Sequence, residues 1–524
     1  MKLRHPACCP GSLPSLCFAA LSAAFAGPAF SQVQEKPQAQ SVAPIFQTAV
    51  RVTETITDNV QLRNGSEAKS DWITMISPSV AMRSDGARVK GNLQAAFNAS
   101  LYGRDSDLSR GYLTLRGDGK LTAWENLAFV DLQATVSQEA LSSLGVQSGD
   151  GVTGRSNQTS VRNIVVSPYL TGRFASTGKA ELRYTLADTD TSSGTFQKMQ
   201  SRTLSANVSD PKAFGRVGWS VVAVDSAIEA TDRRDLNSNS IRGSALLQID
   251  PQLQMRLIVG SEANNYRTVD SERSTITGVA LDWMASPQTK FSGLWEDRFF
   301  GPGYLMSASH QSGRYIVSAR YSKDASSTNQ SLNSSAQLDT YGLLMAMTAA
   351  RFPDLAERDA FVRSYIAERG LPNRLGVSQA VLSNGVFLDR RINLDMMVTS
   401  PRNTLQFSVY RSERSTLTSQ DFALTGDFAS SSRITDISGT VSLTRLLTPV
   451  TSANIGLTLV RSHQDSVSTA SSIDLSNRTR RIYAGVMTQF TSKADGSLQI
   501  RNSEGKGTSS YTENAIIGSV SVRF

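Results

Sequence analysis

The side chains in this sequence that could do chemistry are mainly arginines, which outnumber lysines 41 to 12. A guanidinium presents a planar fork of donors to a carboxylate or phosphate group, so arginines gathered on one surface favour an anionic solute. Ion-pair ladders, or arginines that reach out to a lipid interface, are the alternative and commoner interpretation. We place five of them on an interior, anion-facing surface: Arg256, Arg390, Arg391, Arg402 and Arg411.

Catalytic and metal-binding residues are scarce. The three cysteines, Cys8, Cys9 and Cys17, all lie near the N-terminus, and His310 and His463 are the histidines of the remaining chain. His310 stands among serines in SASHQSG, and a lipid hydrolase would need a serine and a histidine held together. A histidine beside a tight turn is far more often a surface residue, so we predict no enzyme, no metal site and no cofactor.

The N-terminal segment predicts export. Lys2 and Arg4 precede an apolar stretch, LCFAALSAAFA, and then small residues, which is typical of a secretory signal peptide over residues 1–31. Residues 32–45 are polar with prolines and predict a disordered lead-in. Because the signal carries two basic and no acidic residues, its removal lowers the net charge from +8 to +6. That modest excess, spread along the chain, does not indicate a nucleic-acid partner.

From residue 46 to residue 524 the pattern is one of alternating strands. TLQFSVY places Leu405, Phe407 and Val409 on one face and Gln406 and Ser408 on the other, and many segments repeat this period of two. Only 40% of residues are apolar, which is low for a large exported globule but suits a barrel with one lipid face and one polar face. The sequence therefore predicts an all-β, transmembrane antiparallel outer-membrane β-barrel of about 22 strands, within about 20–24.

The connections alternate between two kinds. Tight turns such as SPRN from Ser400 carry Pro, Gly, Asn or Asp, whereas polar loops such as residues 412–435 are much longer. In bacterial barrels the short turns lie in the periplasm and the long loops outside the cell. This order predicts the outer membrane of a Gram-negative bacterium, with the C-terminus on the periplasmic side.

The C-terminal strand has an apolar face that ends on an aromatic residue. The residues of this face are Ile516, Val520, Val522 and Phe524. Such a strand closes a barrel against the first strand and leaves no open edge. It also resembles the signal that the barrel-assembly machinery recognises, so we expect that machinery and outer-membrane lipid as partners.

One segment, residues 338–372, departs from the strand pattern. It has helix-forming composition, with Asp354 near a start signal and Gly370 near a stop signal. The apolar residues at helical spacing are Leu355, Phe361, Val362, Tyr365 and Ile366. We predict a helical insertion between two strands that either caps the mouth of the barrel or enters it as a plug, and a helical pair packed on the rim is an equally good interpretation.

Three stretches resemble the PEP-CTERM system-associated outer-membrane proteins that accompany exopolysaccharide and exosortase genes. They are TETITDNVQL with SDWITMISPSVAM near the start, FLDRRINLDMMVTSPRNTLQFSVYRSER in the middle, and SYTENAIIGSVSVRF at the end. The resemblance spans residues 53–524 and implies exopolysaccharide and its secretion apparatus as partners. It adds no catalytic residue, since that family has no assigned activity.

Two functions remain open at this point. The first is a non-enzymatic pore or accessory barrel of exopolysaccharide secretion, with a polar, arginine-bearing lumen. The second is a closed structural or anchoring barrel whose long loops bind polymer or matrix.

Overall fold

The computed structural model describes residues 44–147, 149–192, 198–230, 234–334, 340–349, 351–371, 382–418, 424, 426–429, 431–466, 475–508 and 510–524. The predicted signal peptide, residues 1–31, and most of the predicted lead-in lie outside these residues. The first strand begins at Ile45, so the end of that lead-in is already part of the barrel.

Twenty-two strands form one closed antiparallel barrel, which confirms the predicted fold class and strand number. They are β1 (Ile45–Thr57), β2 (Asp71–Asp85), β3 (Val89–Tyr102), β4 (Arg110–Trp124), β5 (Ala128–Ala140), β6 (Gln158–Phe174), β7 (Gly178–Thr191), β8 (Met199–Phe214), β9 (Val217–Ala230), β10 (Leu236–Asp250), β11 (Leu253–Asn264), β12 (Glu272–Ser286), β13 (Thr289–Arg298), β14 (Gly301–Gln311), β15 (Tyr315–Ser326), β16 (Phe387–Thr399), β17 (Asn403–Thr416), β18 (Ser431–Thr448), β19 (Thr451–Ser466), β20 (Leu475–Gln489), β21 (Ala494–Gly507) and β22 (Tyr511–Arg523).

Each strand pairs with the next one along the chain, and the last strand pairs with the first. The β1–β22 ladder runs from Ala49 opposite Arg523 to Thr57 opposite Ala515. The backbone N–H of Phe524 adds a hydrogen bond of 2.9 Å to the carbonyl oxygen of Thr48. The sheet therefore has no open edge at this seam, as a membrane barrel requires.

The two faces of the strands differ in chemistry. On β1, Ile56 is 59% exposed on the outer face, whereas its neighbours Thr55 and Thr57 are buried inside. On β22, Ile516 is exposed on the outside and Glu513 is buried inside. An apolar outer belt around a polar interior is the arrangement of a barrel that spans a membrane.

The barrel has two unlike ends. At one end, which we call the turn end, connections of two to four residues join β2 to β3, β4 to β5 and so on around the barrel, and both β1 and β22 have their chain termini there. At the other end, the loop end, most connections are longer, with the two residues Phe299 and Phe300 between β13 and β14 as an exception.

In the described parts of the connection between β15 and β16 there are three α-helices: α1 (Thr328–Ser334), α2 (Thr340–Met347) and α3 (Leu355–Arg369). No helix among the residues described above is both long and apolar enough to cross a membrane. The predicted helical insertion thus exists, and its first helix begins ten residues before the predicted start at residue 338.

Candidate functional site: the plugged lumen

Helices α2 and α3, with Leu371 after them, lie inside the barrel at the turn end. We call this unit the lumen plug. Leu343, Leu344 and Val362 of the plug are buried against Ile316 and Met397, which face inward near the turn ends of β15 and β16. Of the three predicted interpretations, cap, plug or helical pair on the rim, these contacts fit the plug.

Hydrogen bonds join α3 to the turn end of the barrel. The Tyr365 hydroxyl lies 3.2 Å from Oγ1 of Thr404, at the start of β17. An Nη2–H group of Arg369 donates to the carbonyl oxygen of Pro401, in the turn between β16 and β17, at 3.3 Å. The plug is therefore attached where the lumen ends.

The predicted start and stop signals of the insertion act as expected on α3. The Asp354 carboxylate accepts a hydrogen bond of 2.9 Å from the backbone N–H of Glu357, which caps the first turn. Gly370 ends the helix with a φ of +59°. A Cβ atom on Gly370 would lie 2.6 Å from the Sδ atom of Met487 on β20, so glycine also permits the close approach of the plug to the wall.

The apolar residues predicted for the insertion are on α3. Val362 is fully buried in the plug cluster, and Phe361, Tyr365 and Ile366 pack against that cluster. Leu355 is the first residue of α3, and its side chain lies outside the described part of the chain.

Asp359 of α3 is the polar centre of the plug. Its carboxylate accepts hydrogen bonds from the hydroxyl of Tyr341 and from Nε–H of Arg363, the latter at 2.9 and 3.0 Å. It also forms an ion pair with Arg83 on β2, which lies seven strands round the barrel from β17. We call this set the plug latch, because it ties the helices to a second part of the wall.

The environment of the latch shifts both of its acidic groups. Burial would raise the pKa of Asp359, but the hydrogen bond from Tyr341 and the charges of Arg363 and Arg83 outweigh it and lower that pKa. Burial, together with the hydrogen bond to Asp359, raises the pKa of Tyr341 to about 12. At neutral pH the latch is therefore an ionised carboxylate with a hydroxyl donor and two guanidinium donors.

Apolar residues close part of the loop end. Val161, Met199 and Leu236, at the loop ends of β6, β8 and β10, are buried against Leu382 and Val386 of the segment that leads from the insertion to β16. The residues just before β16, Leu382 and Val386, therefore help to cover the lumen on this side.

A second cover comes from the β5–β6 loop, residues 141–157. The side-chain amide of Gln464, on β19 across the lumen, donates a buried hydrogen bond of 3.1 Å to Oγ of Ser143 in this loop. Asp150 of the loop forms an ion pair of 2.8 Å with Arg501 on β21. Although burial opposes it, the charge of Arg501 and two backbone N–H groups lower the pKa of Asp150. The loop is thus fixed across the lumen.

A cavity of about 910 Å³ remains inside the barrel along the wall formed by β1–β6. It extends from Gln47 and Arg523 near the turn end to Glu139 and Val161 near the loop end. We call it the side cavity. Its lining is rich in amide and hydroxyl groups, including Gln94, Gln133, Asn163, Thr114, Thr135 and Ser137.

A smaller cavity of about 470 Å³ lies between the side cavity and the plug. The two share Asp118 and Gln133, and the smaller one is also lined by Tyr341 and Asp359 of the latch. A solute in the side cavity would therefore lie close to the group that holds the plug.

Two arginines of the side cavity were not among those we expected. Arg51 on β1 and Arg116 on β4 are exposed to the cavity, and neither has an acidic partner within ion-pair distance among the described residues. The period-two alternation could have predicted that Arg51 faces the lumen, because its neighbours Val50 and Val52 are apolar residues of the outer face.

The five predicted anion-facing arginines divide between three places. Arg256 faces the lumen and pairs with Asp282 at 3.3 Å, and Arg391 faces the lumen and pairs with Asp389. Arg390 and Arg411 differ from the expectation, because they share the outer face with Ile392 and Val409.

Arg402 lies at the turn end, in the exposed turn between β16 and β17, and not on a lumen wall. Two of the predicted five therefore reach the interior, where each has a carboxylate partner. They fit the ion-pair interpretation, whereas Arg51 and Arg116 present their charge to the side cavity.

His310 lies on the outer face of β14. One ring nitrogen is 2.8 Å from Oγ1 of Thr289, and the other is 3.2 Å from the Tyr315 hydroxyl. Ser307 and Ser309 alternate with His310 and face the lumen, so the serine–histidine contact of a hydrolase does not form here. In the described parts of the chain, no three His, Cys, Asp or Glu side chains are grouped as a metal site.

The predicted C-terminal signal residues all lie on the outer face of β22. Ile516, Val520, Val522 and Phe524 are exposed there, beside the seam with β1. Phe524 is 70% exposed at the turn end, as a residue of an interfacial aromatic girdle would be.

Fold and site together define a transmembrane β-barrel of the outer-membrane class with a lumen plug built from its own chain. No known family model matches this chain, and no curated protein is similar to it in sequence. Solved structures resemble it in fold. The siderophore receptor PirA from Pseudomonas aeruginosa has 10% identity and a TM-score of 0.40, with 91% of this chain and 80% of the receptor covered.

Two further structures show the same range of likeness. The FrpB iron transporter from Neisseria meningitidis has 8% identity and a TM-score of 0.47, with 91% of this chain and 81% of the transporter covered. OccAB4 from Acinetobacter baumannii has 9% identity and a TM-score of 0.32, with 93% of this chain and 100% of OccAB4 covered. At these values the likeness supports no inference about solutes or partners.

Proposed function

We propose that this protein is a non-enzymatic outer-membrane barrel that admits a polar, anionic solute to its side cavity and controls passage with the lumen plug. The observation that carries the proposal is the side cavity itself, with its amides, its hydroxyls and the two exposed guanidinium groups of Arg51 and Arg116. Its volume of about 910 Å³ lies in the range of ligand sites, about 300–1,000 Å³.

The chemistry of the cavity favours an acidic saccharide. Amides and hydroxyls match the hydroxyl groups of a sugar, and a guanidinium pairs with a carboxylate on it. The resemblance to PEP-CTERM system-associated proteins supports the same class of solute, because it implies a place in exopolysaccharide secretion. We therefore propose an extracellular polysaccharide and its secretion apparatus as partners, and no nucleic acid.

The connections support the proposed orientation. With the turn end toward the periplasm, the long loops face the outside and Phe524 lies at the periplasmic rim. An N-terminal signal peptide over residues 1–31 and the outward apolar face of β22 fit export followed by insertion through the barrel-assembly machinery into outer-membrane lipid.

The proposal is tested by binding of a short acidic saccharide to the refolded protein in detergent. Trigalacturonate and the neutral maltotriose serve as probes in calorimetric titrations. The double variant Arg51→Gln/Arg116→Gln should bind trigalacturonate about fivefold more weakly for each arginine, because a charge pair in contact in water is worth about 1 kcal/mol. Maltotriose should bind both proteins equally.

Arg256→Gln is the matched control, since Arg256 faces the lumen but is paired with Asp282 outside the side cavity. It should bind trigalacturonate like the unmodified protein. Equal affinity of the double variant and the unmodified protein would exclude the side cavity as an anion site.

One observation favours a second candidate, the closed structural or anchoring barrel. The plug fills the turn end beside β15 and β16, and two covers lie across the loop end. In that case the protein would not conduct ions even when the plug is removed, and its loops would bind polymer or matrix.

A further inference from the structure

The outer face of the barrel is strongly basic along one part of the loop end. Basic side chains there lie on β16–β21 and have the same strand parity as the exposed apolar belt. They are Arg390, Arg411, Arg433, Arg461, Arg478, Arg480 and Lys506. We call them the outer basic rim. Among the described residues, the acidic ones on the same surface are Glu413, Asp465 and Glu504, so seven positive charges face three negative ones.

These acidic groups are each shared by several cations. Glu413 lies 3.9 Å from Arg390, 3.7 Å from Arg411 and 3.9 Å from Arg433. Glu504 is likewise shared, since Arg480 is 2.9 Å and Lys506 2.7 Å from its carboxylate. The rim therefore keeps a positive charge that its own carboxylates do not balance.

Arg461 and Arg478 are the centre of this excess. They stand directly opposite each other on β19 and β20, and Arg478 stands directly opposite Lys506 on β21. Among the described residues neither arginine has an acidic group within ion-pair distance. Like charges directly opposite on neighbouring strands destabilise a sheet, so an anion between them would relieve this cost.

The height of the rim on the barrel indicates where that anion comes from. Two residues from Arg461 toward the turn end lies Leu459, and two residues from Arg480 lies Ile482, both exposed on the outer apolar belt. The rim thus begins where the apolar belt ends, at the level of lipid headgroups.

The opposite side of the barrel lacks this excess. The described outer-face positions near the loop ends of β6–β13 hold more acidic than basic residues: Arg162, Arg202 and Arg273, with Lys198 just before β8, against Asp188, Asp190, Asp225, Glu229 and Asp297. Arg162 and Arg202 are each paired, with Asp190 and Glu229 respectively. The basic rim is therefore a feature of one side and not of the whole circumference.

We propose that the outer basic rim binds the phosphate groups of an anionic lipid headgroup, with Arg461 and Arg478 as the principal contacts. Guanidinium groups bind phosphate through paired, charge-assisted hydrogen bonds. The site is separate from the side cavity, because it faces the membrane and not the lumen.

The proposal is tested by native mass spectrometry of the refolded full chain with phosphatidic acid and with phosphatidylcholine of the same acyl chains. The unmodified protein should retain phosphatidic acid selectively. The variant Arg461→Gln/Arg478→Gln should retain it at least about tenfold less, because it lacks the charge-assisted hydrogen bonds of both guanidinium groups. Arg162→Gln/Arg202→Gln is the matched control and should behave like the unmodified protein.

Thermal unfolding is a second, independent measurement. A cooperative unfolding transition shows that each variant is folded, and its midpoint temperature reports lipid binding. In zwitterionic detergent without anionic lipid, the Arg461→Gln/Arg478→Gln variant should unfold at a temperature no lower than the unmodified protein. Phosphatidic acid should then raise the unfolding temperature of the unmodified protein but not of this variant. Equal retention of phosphatidic acid by the variant would overturn the proposal. Complete competition by inorganic phosphate would also overturn it, because the site would then bind a free anion.

Discussion

Two parts of the lumen wall differ in the chemistry and the exposure of their inward-facing residues. The first part is formed by β15 and β16, and the second by β1–β6. On the first wall Ile316 and Met397 are apolar and fully covered by the plug. On the second wall Arg51, Gln94 and Arg116 remain exposed to a cavity. On these two walls, the apolar pair marks where the plug covers the barrel, and the exposed polar residues mark where solvent or a solute remains.

The largest effect is expected from the apolar contact of the plug. Leu344→Ala leaves a gap in a fully buried position, which should destabilise the docked plug by about 2–5 kcal/mol. A reporter is available because the barrel itself has no cysteine: Val362→Cys places a thiol in the same buried cluster. Maleimide labelling of that thiol should then be at least about 30-fold faster with Leu344→Ala.

Leu394→Ala is the control for this experiment. Leu394 lies on β16 like Met397, but on the exposed outer face. It should leave the labelling rate nearly unchanged. If Leu344→Ala also leaves the labelling rate unchanged, the apolar cluster does not hold the plug. The contrast between a covered apolar wall and an exposed polar wall would then not explain where the plug binds.

A smaller effect is expected from the plug latch. Asp359→Asn keeps the shape of the side chain but removes the charge that Arg83 and Arg363 share. A hydrogen bond to a charged group contributes about 1.5–3 kcal/mol, so labelling at Val362→Cys should accelerate by at least about tenfold. Glu357→Gln, an exposed position on the same helix, is the control and should have no effect.

The latch also predicts a dependence on pH. Because the folded environment lowers the pKa of Asp359 below its usual 3.8, its contribution is present above that value and is lost as the pH falls through the lowered pKa. Spontaneous channel openings should therefore become more frequent only as the pH falls below 3.8. The Asp359→Asn variant should open equally often above and below that pH; a matching rise in this variant would assign the effect to other carboxylates.

The smallest effect is expected on the polar wall. Gln94 lines the side cavity and is exposed there, so Gln94→Ala should change the unfolding free energy by no more than about 0.5 kcal/mol and leave labelling of the plug unchanged. Plug labelling that responded to Gln94→Ala as strongly as to Leu344→Ala would show that both walls hold the plug.

The fold was predictable because each level of the sequence agrees with it. Period-two alternation, turn residues and the outward apolar face that ends in Phe524 all indicate the same closed barrel. The limits of α3 were predictable as well, since Asp354 caps it and Gly370 ends it by local interactions that the sequence contains.

The site was predictable only in part. Arg390 and Arg391 are consecutive, so the alternation itself requires that they face opposite ways, and Arg411 continues the face of Phe407 and Val409. The position of the plug was not predictable in this way, because it depends on contacts between α3 and strands distant in sequence, such as the ion pair of Asp359 with Arg83.

The most direct test of this account is the single-channel conductance of the refolded protein compared with a variant that lacks residues 338–372. The unmodified protein should open rarely, because the plug occupies the turn end. The deletion should give stable openings of larger conductance while the barrel remains folded, as judged by its heat-modifiable mobility on gels. A folded deletion variant that conducts no better than the unmodified protein would contradict the role of these helices as a plug of a pore.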